Sequence, residues 1–220
     1  FSKFMKKMFL VVVCLFATAH LTQAQVSFGL NASVVYDFLR TADTVDSKSG
    51  RMGFGYGLSL DFKKRDDQRA YFATGAYVTS NGGSYTVLSG KDTTVETSVR
   101  AQTLQVPLSL KLKTGKVIPK LDKLNFVAQI GVVPGVTVRS RYDREINNVK
   151  TVDSEPAKDL TNLLDISLKA GIGLDYELSG GTTAYGGFVY HHGFLPLVND
   201  KAHDVKLKPS NIGLRVGVYF

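Results

Sequence analysis

Apolar and polar residues alternate one by one along most of this chain. Between Val26 and Phe38, the residues Val26, Phe28, Leu30, Ala32, Val34, Tyr36 and Phe38 oppose Ser27, Gly29, Asn31, Ser33 and Asp37. Successive side chains of a strand point to opposite faces, so this period predicts a strand with one wholly apolar face. Met52 to Phe62 repeats the pattern, with Gly53, Gly55, Gly57, Ser59 and Asp61 on the other face. Gln102–Lys113, Leu124–Arg139, Leu164–Glu177 and the final Asn211–Phe220 follow the same code. Tyr71–Ser80 and Thr183–His192 read as strands with less distinct faces. Pro107 interrupts one run, and a proline that cannot donate to a ladder predicts a local bulge there.

The chain therefore predicts eight strands of about ten residues, the length that crosses a bilayer when tilted. The intervening segments alternate long and short, beginning with the polar stretch from Thr41 to Gly50. Long polar loops are expected over Ser140–Asn162 and Gly193–Lys208, and a hairpin is expected to project around Ser89–Asp92. The fold class predicted is all-β: an eight-stranded antiparallel up-and-down transmembrane β-barrel. Short turns belong on the periplasmic side, which would leave both mature termini periplasmic.

Alternation alone does not decide which face meets lipid, but the content of the polar face does. It holds Gly29, Gly53, Gly55, Gly57, Gly131, Gly171, Gly173, Gly213 and Gly217. Glycine weakens a water-exposed strand, whereas in a narrow barrel it leaves room for a few large polar side chains. Asp61, Gln105, Lys111, Gln129, Asp165, Lys169 and Arg215 are expected to form that internal network, with both charge signs available for pairing. Phe28, Phe62, Phe126, Tyr176 and Phe220 fall near one end of the apolar face, and Tyr36, Phe38 and Phe54 near the other. These are the two aromatic girdles of a lipid interface.

The beginning of the chain adds an export signal. After Met5, a possible natural start, Lys6 and Lys7 lead into the apolar run Met8–Ala19 and then LTQAQ. This is the order of a secretory signal, with cleavage placed after Ala24. Residues 1–24 are thus expected to be a signal peptide and residues 25–220 an outer-membrane β-barrel domain. Cys14, the single cysteine, lacks the small preceding residue of a lipid-anchor site. The formal charge is +8, and +5 once Lys3, Lys6 and Lys7 leave with the signal. An exported chain without one basic patch does not suit nucleic acid; phosphate-bearing lipid suits it better.

The motifs TLQVPLSLKLKTG, FVAQIGVVPGVTV, ISLKAGIGLDYEL and LRVGVYF together resemble the PorT-like outer-membrane β-barrel family of Bacteroidetes. That resemblance implies the same fold and location. The closing strand ending at Phe220 also resembles the signal read by the barrel-assembly machinery, which would make that machinery a partner.

Chemistry is sparse. No Walker loop, HExxH, paired CxxC or GxSxG is present, and no catalytic, cofactor-binding or metal-binding residue is assigned. One enzymatic alternative starts from His191 and His192 at the rim, with Asp200, His203, Asp204 and Ser210 near in sequence. Such a set could serve a lipid A-modifying hydrolase or acyltransferase. A second alternative is a periplasmic lipocalin-like barrel that holds an apolar ligand. The expected function is an integral outer-membrane barrel, not a wide pore and not an enzyme, in contact with outer-membrane lipid and lipopolysaccharide. Its extracellular loops would serve a structural or surface-interaction role through possible surface partners.

Overall fold

A computed structural model describes residues 25–41, 47–63, 69–88, 93–114, 123–147, 149–157, 160–178, 180–200 and 205–220. The expected signal segment and its cleavage point lie outside those residues. The described chain forms one antiparallel sheet of twelve strands. In order they are β1 (Gln25–Thr41), β2 (Ser47–Ser49), β3 (Arg51–Lys63), β4 (Ala70–Leu88), β5 (Thr94–Gln105) and β6 (Leu108–Lys113). Then come β7 (Leu124–Ile146), β8 (Val149–Pro156), β9 (Leu164–Glu177), β10 (Thr183–Gly193), β11 (Val198–Asp200) and β12 (Val205–Tyr219).

β5 and β6 are two halves of one stave, and β2, β8 and β11 are ribbons laid against the ends of longer strands. What remains is a ring of eight staves, each hydrogen-bonded to its sequence neighbours. β12 closes it onto β1, in register from Gly29 opposite Tyr219 to Thr41 opposite Leu207. Closure joins every stave to a neighbour on each side, so most backbone polar groups are paired within the sheet, although the β3–β4 ladder stops above Gly55 and Thr79.

The face assignment follows the alternation. Leu30, Leu58, Leu104, Leu108, Ile130, Ile172, Leu214 and Val216 point outward and leave 42–60% of their surface uncovered. Water would drive such a continuous apolar belt into a core; a hydrocarbon environment does not. Tyr36 and Phe54 bound the belt toward the long-loop end, and Phe28, Tyr176 and Phe220 bound it toward the end carrying the termini. This is a membrane-spanning β-barrel.

Three local expectations need correction. Pro107 creates no bulge: Gln105 stands opposite Gly135 and Leu108 opposite Val132, so the register runs straight through. A missing donor removes a ladder bond without requiring an extra residue, and the strand is simply interrupted at Val106–Pro107. The bulge lies instead where Gln102 pairs with Arg139 but Thr103 with Thr137. The long segments are also more ordered than polar loops. β7 runs on to Ile146 and turns into β8, and β11 pairs with the start of β12.

Candidate functional site

The interior of the barrel holds every residue of the expected polar network. Asp61, Gln105, Lys111, Gln129, Asp165, Lys169 and Arg215 are all buried, with 3–7% of their surface exposed. Near the termini end, Lys111 Nζ donates to both carboxylate oxygens of Asp61, at 2.9 and 2.8 Å. It also donates to Tyr219 Oη at 3.1 Å and sits 4.4 Å from the centre of that ring. Tyr219 donates on to Asn31 Oδ1 at 3.2 Å, Asn31 donates to Ser59, and Ser59 meets the Tyr77 hydroxyl.

Farther along the axis, the Arg215 guanidinium lies 4.8 Å and the Lys169 ammonium 5.6 Å from the centre of the Tyr77 ring. Aromatic faces attract cations most strongly where water is excluded. Gln105 Nε2 donates to Asp165 at 3.1 Å, and Asn81 joins Thr103 and Asn211 at 3.0 and 3.3 Å. Glycine makes the room: a Cβ on Gly29 would stand 2.6 Å from the Tyr219 ring, and one on Gly187 equally near the Tyr185 hydroxyl. Two small cavities beside Arg215 and His191 measure about 10 Å³, about one water each.

Beyond the apolar belt the interior changes character. Leu39, Tyr85, Val99, Ala101, Leu197, Val198 and Leu207 form one buried apolar cluster, with Val87 and Tyr142 packed against it. Leu197 and Val198 come from the segment before β12, which folds across the barrel end. Leu197 N–H donates to Leu207 C=O at 2.8 Å, and Asn162 N–H to Leu197 C=O at 3.0 Å. Tyr85 Oη donates to Asp200 Oδ2 at 3.1 Å, which Arg144 approaches at 3.4 Å. Burial and the neighbouring carboxylate push the Tyr85 hydroxyl well up, so it remains a donor. The same end carries the β7–β8 ribbon, held by Asp143. Ser154 N–H donates to Asp143 Oδ1 at 2.8 Å, and Arg100 pairs with Oδ2.

The rim histidines do not share a site. His191 points inward and is buried, while His192 faces outward, half-buried. His192 Nδ1 is bonded to the Tyr190 hydroxyl at 3.1 Å, and its ring stands 5.7 Å from that of Phe194. Ser210 is the register partner of His192 across the β10–β12 pair. Its hydroxyl, however, accepts from Arg40 Nε at 2.6 Å, and Asp200 is engaged inside the barrel end. Among the described residues no hydrogen bond joins His192 to Ser210; His203 and Asp204 lie outside them. The interior tyrosines and the apolar cap were not anticipated from the sequence, although Tyr219 falls plainly on the inward face.

No protein-family model and no curated protein matches the chain. Several solved structures of outer-membrane barrels are similar in outline. Neisserial surface protein A is 15% identical, with 89% of this chain and 97% of that chain covered and a TM-score of 0.46. The outer membrane protein OprG from Pseudomonas aeruginosa is 11% identical, covering 90% and 97%, again with a TM-score of 0.46. The N-terminal β-barrel domain of Pseudomonas aeruginosa OprF is 13% identical, covering 90% and 100%, with a TM-score of 0.39.

Proposed function

We propose that this chain is an integral outer-membrane barrel that works through the surface of its long-loop end and conducts no solutes. The observation that carries this is the interior, filled by a polar network around the Lys111–Asp61 pair across the apolar belt and by an apolar cap beyond it. A barrel of eight strands has room inside for side chains and little else. With short turns on the periplasmic side, both mature termini are periplasmic and the capped end faces outward. The ordered extensions β4–β5 and β7–β8 then give the cell surface a fixed shape for contact with other macromolecules. The resemblance to PorT-like barrels fits this placement and adds no secretion role. Separation of His191 from His192 speaks against an enzyme built on that pair.

The test combines three measurements on the full chain in cells and in detergent. An outer-membrane fraction should show a band whose mobility changes on boiling. A cysteine introduced at Ser98 should react with an impermeant reagent on intact cells, and one appended after Phe220 should not. Reconstituted protein should leave planar bilayers silent. Recovery from the soluble periplasm, reversed labelling or steady single-channel conductance would each overturn the proposal.

A further inference from the structure

The outer wall carries an arginine cluster at the upper border of the apolar belt. Along the outward face of β5 the sequence runs Leu104, Gln102, Arg100, and along β7 it runs Val136, Val138, then Arg139 and Arg141. Same-face neighbours on a strand are about 6.6 Å apart, so these guanidiniums stand one or two steps above the last aliphatic side chains. That is the height of lipid headgroups.

The bulge in β7 produces this arrangement. Thr137 faces the interior, and strict alternation would send Arg139 and Arg141 the same way. The register shift opposite Gln102–Thr103 leaves both Val138 and Arg139 exposed and brings Arg141 out beside Arg100. Arg100 and Arg141 are direct register partners, and like charges placed opposite each other destabilise a sheet. Arg51 adds repulsion against Arg100. Asp143 pairs with Arg100 and, with Asp37, also acts on Arg51, whereas the side chains of Arg139 and Arg141 have no ion-pair or hydrogen-bond partner among the described residues. Four guanidiniums against the carboxyls of Asp37 and Asp143 leave an excess of positive charge, the setting in which an anion is attracted.

The wall beneath the cluster is grooved. Pairing of β3 with β4 stops at Gly55 opposite Thr79, and above it Phe54 N–H reaches only the Ser80 hydroxyl, at 3.1 Å. The resulting groove, about 390 Å³, is lined by Arg51, Arg100, Arg139 and Arg141, with the Asp37 carboxylate at its back. Its lower wall is Tyr56 and Val78. The same two side chains line an apolar furrow of about 800 Å³ that runs across the strands of the belt, from Leu104 past Leu58 and Leu30 to Val216 and Val218.

We propose that this continuous groove binds one lipid bearing a phosphorylated headgroup: the arginines hold the phosphate and the furrow takes an acyl chain. Guanidinium forks match phosphate oxygens two at a time, and the apolar furrow below them selects a lipid over a free anion. The proposal rests on the membrane placement above for its biological setting, but the binding chemistry is tested separately.

The experiment is native mass spectrometry of the full mature chain released from detergent micelles doped with monophosphorylated lipid A or with its dephosphorylated form. The wild-type barrel should retain the phosphorylated lipid and not the other. R139Q/R141Q should lower retention about tenfold or more, and K208Q, a cation outside the groove, should leave it unchanged. Millimolar inorganic phosphate should not compete. Each variant is first shown to keep its heat-dependent gel mobility. Equal retention by R139Q/R141Q, equal retention of the dephosphorylated lipid, or displacement by inorganic phosphate would overturn the site. Loss of surface labelling with intact lipid retention would sink the proposed cell-surface role and leave the site standing.

Discussion

Two stretches of the same barrel read the alternating code with opposite signs. Across the belt, leucines, isoleucines and valines face out while Lys111, Asp61, Asn31 and Arg215 fill the inside. Beyond the belt, Glu96, Arg100, Lys206 and Lys208 face out while Val95, Val99, Leu207 and Val198 fill the inside. Only the surrounding solvent differs. Against lipid, the outward face gains nothing from polarity, and buried polar groups inside must satisfy each other. Against water, the ordinary hydrophobic effect returns and gathers an apolar core. The lower interior is therefore held by specific pairings and the upper one by shape and area. The two should fail differently.

Removing one partner of the buried ion pair should have the largest effect. Lys111→Met leaves the Asp61 carboxylate, 3% exposed, without its counter-ion. That loss is expected to cost about 3–5 kcal/mol, read as a lower guanidinium midpoint in detergent. Adding Asp61→Leu should recover most of the loss, because the pair then disappears together. A double variant as unstable as the single one would show that the pair is not the source.

The cap should break more locally. Leu207 is completely buried in the apolar cluster, and Leu207→Ala is expected to cost about 2–5 kcal/mol within that cluster. Proteases should then cut the segment around Val198 faster, while the boiled and unboiled bands stay distinct. Loss of the mobility difference would mean that cap and membrane barrel unfold as one unit. A smaller effect is expected from Tyr219→Phe, which removes the hydroxyl that accepts from Lys111 and donates to Asn31. About 1–3 kcal/mol should be lost, with the fold retained. No change in midpoint would mean that the Lys111–Asp61 pair suffices without it.

The belt was legible because its period is unbroken: the apolar face of β1, β3, β9 and β12 can be read residue by residue. Arg215 and Lys169 could be placed inside for the same reason. The cap was not legible. Leu197 and Val198 are reached through a short segment with no period, and β5 keeps alternating while its solvent changes from lipid to water. Nothing in TVETSVRA marks where that change occurs. The β7 bulge escaped as well, since Val138 and Arg139 look like one more outward–inward step until their partners on β5 are known. Pro107 drew attention to the wrong position because a missing donor is visible in sequence and a register shift is not.

Asp143 offers the finest comparison, since it belongs to the water-exposed end and can titrate there. Burial alone would raise its pKa, but the Ser154 N–H and the Arg100 guanidinium hold the carboxyl below the usual aspartate range. A carboxyl whose folded pKa is lowered contributes fully above its unfolded pKa and loses that contribution as pH falls through the folded one. The β7–β8 ribbon should therefore loosen as pH drops below about 4, while the interior of the belt keeps its protection. Amide hydrogen exchange over residues 141–156, corrected for intrinsic rates, measures this directly. Asp143→Asn should make the ribbon looser at neutral pH and flatten its acid dependence. If the ribbon of the variant still opens with acid as the wild type does, another group controls it, and the Arg100–Asp143 pair is only an incidental contact at the border between the two regimes.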